Sequence, residues 1–293
     1  MAHAHAQHDA SLQDVSFYTE HGYLAMPGLL DSAEIDELKA DLLKLARGGY
    51  PCDSLEPLPN DFSDEEAVQR ILCIHMPHFV SPVIRRFTTH PRIADILGRI
   101  VGAHLGSWWN GGVKCMQSMF FAKPPGKPGQ AWHQDEVFIP TRDRSLCGVW
   151  IAVDDATVDN GCLWVLPGSH RDGMLYPYRE HDRPDQFDVS PESHGFDDRL
   201  EIPIELPAGS VLFFNGYLLH RSKPNTSDHY RRSLVNHYMS SQSPLTWCLE
   251  GREITGRVPD NRDVHMVCGN DPYAADGYTV PDDAVWLRQY EGG

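Results

Sequence analysis

The chain has 293 residues, which is enough to bury a substantial core in one large domain or two small ones. Its apolar fraction of 41% and charged fraction of 23% are typical of a soluble globular protein. A net charge of -16 argues against a nucleic-acid partner, because a protein that neutralises phosphates needs a basic surface. An anionic membrane would repel such a chain too.

The N-terminal stretch MAHAHAQHDASL has neither the basic nor the apolar region of a secretory signal, so residues 1–12 are expected to form a flexible tail. No uninterrupted apolar run is long enough to span a bilayer. The seven cysteines are odd in number and include no C-x-x-C pair, which indicates reduced thiols. We therefore expect a cytoplasmic protein with no membrane partner.

Two amphipathic helices are predicted in the first third of the chain. Asp31 and Glu34 have the spacing of a capping box and precede apolar residues at helical intervals, which Gly48 should terminate. The second helix is predicted to begin near Pro91 and to end at Gly102. Each helix has an apolar stripe that must cover a flat surface.

Between these helices, residues 51–86 are rich in Pro, Asp and Glu and are predicted to form a long loop with a short ordered middle. Loops of this length are often lids or binding loops. His75 and His78 lie within it as H-M-P-H, but the proline breaks any helix that would align them on a metal. A substrate-binding or structural role is favoured for them, and residues 13–111 are assigned to helical cladding and a lid.

From residue 112 onward the pattern changes to short apolar runs separated by Gly, Pro and Asn turns. Many short strands preceded by helices indicate a β-sandwich or jelly roll with helical cladding. We assign residues 112–240 to this jelly-roll core and residues 241–293 to a C-terminal extension. Nothing marks an internal repeat or a second domain, so residues 1–293 are expected to form a single domain.

The stretch Trp132-His133-Gln134-Asp135 carries the first chemical signal. Successive side chains on a β-strand alternate between faces, so His133 and Asp135 should point the same way. A second histidine would complete a 2-His-1-carboxylate set, which binds Fe(II) and leaves positions open for O2 and a co-substrate. However, an H-x-D triplet arises easily by chance in a chain with 16 His and 41 acidic residues.

The candidates for the second histidine are His170, His181, His194, His220, His229 and His237. His220 is favoured because it ends an apolar strand, where a barrel presents a ligand towards its interior. A hairpin centred between residues 225 and 226 would place Arg231 opposite His220 and would turn Arg232 outwards. A guanidinium there could grip a carboxylate with two parallel hydrogen bonds, although an ordinary solvated Arg-Arg pair is the alternative.

Several motifs occur in an order that resembles the phytanoyl-CoA dioxygenase family of Fe(II)/2-oxoglutarate oxygenases. They are Q-S-M-F, H-Q-D, G-V-W-I-A-V-D-D-A-T, N-G-C-L-W-V-L-P-G-S-H, A-G-S-V-L-F-F-N-G, H-R-S and R-R-S-L. The likeness extends from about residue 17 to about residue 238, and the G-V-W-I-A-V stretch is shared with the phytanoyl-CoA dioxygenase domain-containing proteins. It is far more specific than an isolated H-x-D.

The resemblance implies a mainly β fold, the double-stranded β-helix, which is a cupin-like jelly roll with the N-terminal helices packed on one sheet. It places the iron ligands at His133, Asp135 and His220 and the 2-oxoglutarate-binding arginine at Arg231. It also implies co-substrate contacts at Met119, Trp150 and Ser222, with Gln117 as a further candidate. For Trp150, a purely structural role as a buried aromatic is an equal alternative.

The expected activity is therefore an Fe(II)/2-oxoglutarate-dependent dioxygenase that uses O2 to oxidise a small molecule, most simply by hydroxylation, with release of succinate and CO2. A non-catalytic jelly-roll metal-binding or sensor protein is the alternative. The carboxylate of Asp135 favours hydroxylation, desaturation or ring chemistry over halogenation, because a halide would need its coordination position. The substrate stays open, including whether it is an acyl-CoA, and a monomer or homodimer is expected.

Overall fold

The computed structural model describes residues 10–243, 264–276 and 284–290. The α-helices in these ranges are α1 (Leu12–His21), α2 (Ser32–Ala46), α3 (Asp64–Gln69), α4 (Pro82–Thr88), α5 (Pro91–Ile100) and α6 (Asp135–Phe138). The β-strands are β1 (Tyr23–Met26), β2 (Ile71–His75), β3 (Val113–Lys123), β4 (Gln130–His133), β5 (Cys147–Ala152), β6 (Leu163–Val165), β7 (Tyr178–Arg179), β8 (Glu192–Ser193), β9 (Ile202–Ile204), β10 (Val211–Asn215), β11 (His220–Ser222), β12 (Arg231–Ser240), β13 (His265–Cys268) and β14 (Trp286–Gln289).

Two antiparallel sheets form the centre of the molecule. The main sheet has the strand order β1-β10-β5-β12-β3-β2-β14, and β13 also pairs with β3. The second sheet has the order β4-β11-β6-β9, and β7 pairs with β8 as a separate ribbon. The chain repeatedly crosses between the two sheets, as in a jelly roll. The predicted double-stranded β-helix is confirmed.

The main sheet separates two apolar regions. Along β12, Leu234 and Tyr238 pack into the large core beneath the helices, whereas Val235 faces the gap between the two sheets. On the helical side, Leu38 and Leu42 of α2 are fully buried in the same large core. The alternation of a strand therefore gives the sheet one face for the helices and one for the site.

The capping box at the start of α2 is confirmed. The Asp31 carboxylate accepts a hydrogen bond from Glu34 N at 3.0 Å, and the Glu34 carboxylate accepts one from Asp31 N at 2.8 Å. The helix ends at Ala46, just before Gly48 adopts a φ of +67°, which a glycine takes without a steric penalty. The α5 helix runs from Pro91 to Ile100, two residues short of the predicted Gly102.

The prediction of a long loop over residues 51–86 is wrong. This segment contains α3, β2 and the start of α4, and β2 lies in the main sheet between β3 and β14. The apolar run that was predicted to be a short ordered middle is a strand buried along its whole length. Hydrogen bonding to β3 stabilises it, and no local sequence signal reports such a partner.

The part of the C-terminal extension that the structure describes also joins the main sheet, because β13 pairs with β3 and β14 pairs with β2. The predicted tail is already ordered at its end, since Ser11 caps α1. Residues 1–9, 244–263, 277–283 and 291–293 lie outside the described residues. Within the described ranges, no helix has the length and apolar character needed to cross a membrane, and the six cysteines are free.

The predicted hairpin between residues 220 and 231 is also wrong. His220 lies on β11 of the second sheet, opposite His133, whereas Arg231 lies on β12 of the main sheet, opposite Lys123. The Asn225 side chain donates to the carbonyls of Lys123 (3.0 Å) and His229 (2.7 Å). These bonds direct the connecting segment across to the other sheet, so β12 does not fold back along β11.

Candidate active site

His133, Asp135 and His220 lie close together in the gap between the sheets. His133 and His220 are register partners on β4 and β11, with ring centroids 4.0 Å apart. Asp135 Oδ1 lies 3.7 Å from His133 Nε2 and 3.6 Å from His220 Nε2. One ligand atom from each residue lies within 4.8 Å of the others, so a single metal ion could contact all three.

The H-x-D motif is only partly on a strand. β4 ends at His133, Gln134 keeps an extended backbone, and Asp135 begins the single helical turn α6. The extended Gln134 is sufficient to turn its two neighbours the same way while its own side chain points elsewhere. Its amide donates to the carbonyls of Met174 (2.9 Å) and Tyr217 (2.7 Å), which holds the ends of two loops beside the motif.

Backbone carbonyls determine which ring nitrogen carries the proton in the two site histidines. His133 Nδ1 donates to the Ala131 carbonyl at 2.8 Å, and His220 Nδ1 donates to the Leu218 carbonyl at 2.9 Å. Because a carbonyl can only accept, the proton of each neutral ring lies on Nδ1. The Nε2 lone pairs therefore face Asp135 and are available to a metal ion.

The second oxygen of the Asp135 carboxylate is held by His237, whose Nε2 lies 3.0 Å from Oδ2. Burial raises the pKa of Asp135, but the adjacent His220 and His237 outweigh this effect and hold the pKa well below its ordinary range. Burial next to His133 lowers the pKa of His220 to about 4. A carboxylate beside the neutral imidazole of His220 is the charge state that a divalent metal ion needs.

The sequence reasoning did not assign His237 a role, although it was one of the six candidate histidines. A usable signal was present, since residues 231, 233, 235 and 237 must share one face of β12. His237 lines the same cavity as the three predicted ligands and is buried.

Arg231 points into this cavity. It is 5% exposed, its Nη1 donates to Ser233 Oγ at 3.1 Å, and its Nε has no hydrogen-bond partner among the described residues. Arg232 points the opposite way, where it forms two hydrogen bonds of 2.7 Å to the Asp154 carboxylate. The predicted facing of the two arginines is thus observed, although it does not arise from the predicted hairpin. A buried guanidinium with an unpaired donor suits an incoming carboxylate.

The other predicted co-substrate contacts also line the cavity, which has a volume of about 300 Å³. They are Gln117, Met119, Trp150 and Ser222. Trp150 is both buried and within reach of the site, since the Arg231 Cζ lies 5.6 Å from the centre of its ring. The two alternatives considered for it are therefore compatible.

The rest of the cavity wall includes residues that were not predicted to contact the co-substrate. Phe138 and Ile139 contribute apolar surface, and Ser190 lies in the segment that connects β7 to β8. His75 stacks on Trp286 with ring centroids 3.6 Å apart, and its Nε2 has no hydrogen-bond partner among the described residues. His78, by contrast, bonds Ser118 at 2.6 Å beneath the helices and does not line the cavity.

Comparison with known proteins decides the family. The model of the phytanoyl-CoA dioxygenase (PhyH) family matches residues 18–233. The chain belongs to the phytanoyl-CoA dioxygenase family. Membership confirms the resemblance seen in the sequence motifs and identifies the protein as a non-haem iron 2-oxoglutarate-dependent dioxygenase. Its cofactors are Fe(II), 2-oxoglutarate and O2.

Among curated relatives, the chain is similar to phytanoyl-CoA dioxygenase domain-containing protein 1 of Danio rerio. The two are 28% identical, and the match covers 83% of this chain and 96% of that protein. Among solved structures, the chain is similar to the non-heme monooxygenase ThoJ, with 19% identity, a TM-score of 0.65, and coverage of 94% of this chain and 88% of that one. It is also similar to the epimerase SnoN in complex with Fe3+, alpha ketoglutarate and nogalamycin RO, with 20% identity, a TM-score of 0.61, and coverage of 84% and 93%.

Proposed function

We propose that this family member hydroxylates a small molecule and couples the reaction to conversion of 2-oxoglutarate into succinate and CO2. The observation that carries the proposal is a single cavity that contains both the His133, Asp135 and His220 set and the buried guanidinium of Arg231, whose Nε has no hydrogen-bond partner among the described residues. A site that only binds a metal has no need for a second anchor that suits a carboxylate.

Each group of cavity residues would have a separate binding role. His133, Asp135 and His220 would hold Fe(II), and iron with 2-oxoglutarate and O2 supplies the oxidising chemistry. Arg231 and Ser222 would bind the distal carboxylate of 2-oxoglutarate, with Trp150 forming an apolar wall beside it. Phe138 and Ile139 would contact the substrate and keep water out. The oligomeric state, monomer or homodimer, stays a prediction.

The test is turnover of 2-oxoglutarate by the iron-loaded protein with ascorbate, measured as succinate, during a screen of small molecules. We expect succinate in all active reactions and a product heavier by one oxygen atom that derives from O2. Asp135→Ala should abolish both signals, whereas Arg232→Ala should retain them because Arg232 points away from the cavity. A protein that binds iron and 2-oxoglutarate but forms no succinate with any compound would contradict the proposal and favour a binding or sensing role.

A further inference from the structure

Lys123 is a buried lysine that contacts Ser222 of the cavity wall, and the sequence reasoning did not single it out. It is 4% exposed and lies on the inward face of β3, opposite Arg231 of β12. Its Nζ donates to Ser222 Oγ at 2.9 Å and to the Lys223 carbonyl at 2.8 Å. A buried ammonium is costly unless its donors are used, so its retention requires an explanation.

The surroundings of Lys123 form a closed pocket for the ammonium. A Cβ at Gly161 would lie 2.4 Å from the Lys223 carbonyl oxygen and 3.0 Å from Lys123 Nζ, so this position has room only for glycine. Gly161 also has a φ of +81°, which favours glycine independently. The backbone of Lys123 is held by the Asn225 amide at 3.0 Å. Both ends of the lysine are thus fixed.

The contacts of Ser222 determine where its hydroxyl proton can go. A serine hydroxyl has two acceptor lone pairs and one donor hydrogen. Ser222 Oγ accepts from Lys123 Nζ at 2.9 Å and from Gln130 N at 3.1 Å, so both lone pairs are used. The hydrogen is left to donate, and Ser222 lines the cavity together with Arg231.

We propose that Lys123 is a positioning residue, which holds the Ser222 hydroxyl as a hydrogen-bond donor towards the distal carboxylate of 2-oxoglutarate, beside Arg231. This inference rests on the proposed function of the cavity and deepens it. It explains why a serine suits this position. A hydroxyl whose two lone pairs already accept hydrogen bonds can donate to an anion but cannot accept a hydrogen bond from a ligand. The site therefore favours a dicarboxylate co-substrate.

The local charges support this role. The side-chain bonds of Lys123 go to a hydroxyl and a carbonyl, and that of Arg231 goes to a hydroxyl, so no described carboxylate neutralises either cation at contact distance. Burial and the nearby Arg231 lower the pKa of Lys123 well below its ordinary value. An incoming carboxylate opposes both effects and so favours the charged form of Lys123.

The test compares two keto acids by calorimetry on the Ni(II)-loaded protein, where no turnover occurs. 2-Oxobutyrate has the same keto-acid end as 2-oxoglutarate but lacks the distal carboxylate. Lys123→Met should weaken 2-oxoglutarate binding roughly 10- to 100-fold, the usual effect of losing a hydrogen bond to a charged group. Binding of 2-oxobutyrate should change much less. Lys123→Gln, which keeps an N–H donor and is a second variant if Lys123→Met does not fold, should lose less 2-oxoglutarate affinity.

A double-mutant cycle with Ser222→Ala tests whether Lys123 acts on 2-oxoglutarate binding through Ser222 or independently of it. If Lys123 acts through Ser222, the double variant loses little more than the larger single loss. Additive losses, or an equal weakening of both keto acids by Lys123→Met, would overturn the inference. A wild-type protein that binds no 2-oxoglutarate would overturn the proposed function together with it, whereas normal binding by the Lys123→Met variant would overturn the inference alone.

Discussion

His237 on the main sheet and Asp135 beside the second sheet are joined by a hydrogen bond of 3.0 Å between Nε2 and Oδ2. The other carboxylate oxygen, Oδ1, faces the two site histidines. An ionised carboxylate cannot donate, so His237 carries the proton on Nε2. The bond therefore fixes which oxygen of Asp135 faces His133 and His220, where a metal ion would bind.

We expect His237→Leu to weaken divalent metal binding roughly 10- to 100-fold, because partners that orient a metal ligand typically contribute this much. Calorimetric titration with Co(II) measures the effect. His229→Leu is the control, since its side chain is 81% exposed and outside the cavity. Equal metal affinity in the His237 variant and the wild type would show that Asp135 is oriented by other contacts.

Arg231→Ala should raise the 2-oxoglutarate concentration needed for half-maximal succinate formation. Loss of a charge-assisted partner for a buried carboxylate corresponds to about 2–5 kcal/mol. Arg232→Ala should lose its ion pair with Asp154 and its contact with the Tyr230 ring, which costs on the order of 1 kcal/mol of stability. Iron binding should survive both changes. A larger loss of 2-oxoglutarate affinity in the Arg232 variant would contradict the observed facing of β12.

Glu136 should make the metal-free protein less stable as the pH rises. Burial raises the pKa of its carboxyl from the ordinary value of 4.5 to about 7. The folded state therefore binds this proton more tightly than the unfolded state, so the contribution is fully present below pH 4.5 and is lost as the pH rises through 7. Glu136→Gln keeps the acceptor for Thr141 and cannot ionise. Chemical unfolding at pH 5 and pH 8 should show that the variant gains stability relative to the wild type at the higher pH. If the difference in unfolding free energy between the variant and the wild type were the same at pH 5 and pH 8, the prediction would be refuted.

Gly129→Ala should reduce both stability and 2-oxoglutarate affinity. A Cβ at residue 129 would lie 1.9 Å from the Ser222 carbonyl oxygen, so the strand that carries Ser222 must move. Gly98 is the matched control, because a Cβ there meets Cys268 Sγ at an ordinary 3.5 Å. Gly98→Ala in α5 should stabilise the protein by up to about 1 kcal/mol through helix propensity. Thermal unfolding and 2-oxoglutarate titration distinguish the two; an unchanged Ser222 site in Gly129→Ala would contradict the packing described.

The sequence predicted correctly the features that depend on local alternation. The H-x-D facing holds because Gln134 is extended, and the inward facing of Arg231 holds because β12 pairs with β3 without a register shift from Arg231 to His237. The pairing partner of His220 was predicted wrongly, since strand pairing depends on where the chain goes after Asn225. That route is determined by tertiary hydrogen bonds, which no spacing rule reports.

Other parts of the site could not be read without the fold. Lys123 begins a K-P-P-G stretch and looks like an exposed turn residue, and only the packing of Gly161 and Ser222 around it shows that it is buried. The β2 strand was hidden within a polar segment because its partners are contributed by β3 and by the distant β14. Burial of a polar residue is a property of the assembled layers.

The proposed metal ligands belong to the second sheet and its following helical turn, whereas Arg231 and Lys123 belong to the main sheet. Facing sheets pack roughly 10 Å apart, a distance set by the side chains of the whole core. The spacing of the two sheets therefore sets the distance from the proposed metal ligands to Arg231. Ser222 shares β11 with His220, so only the Arg231 side of the co-substrate site depends on the sheet spacing, and mutations that alter this spacing would weaken 2-oxoglutarate binding without touching any binding residue.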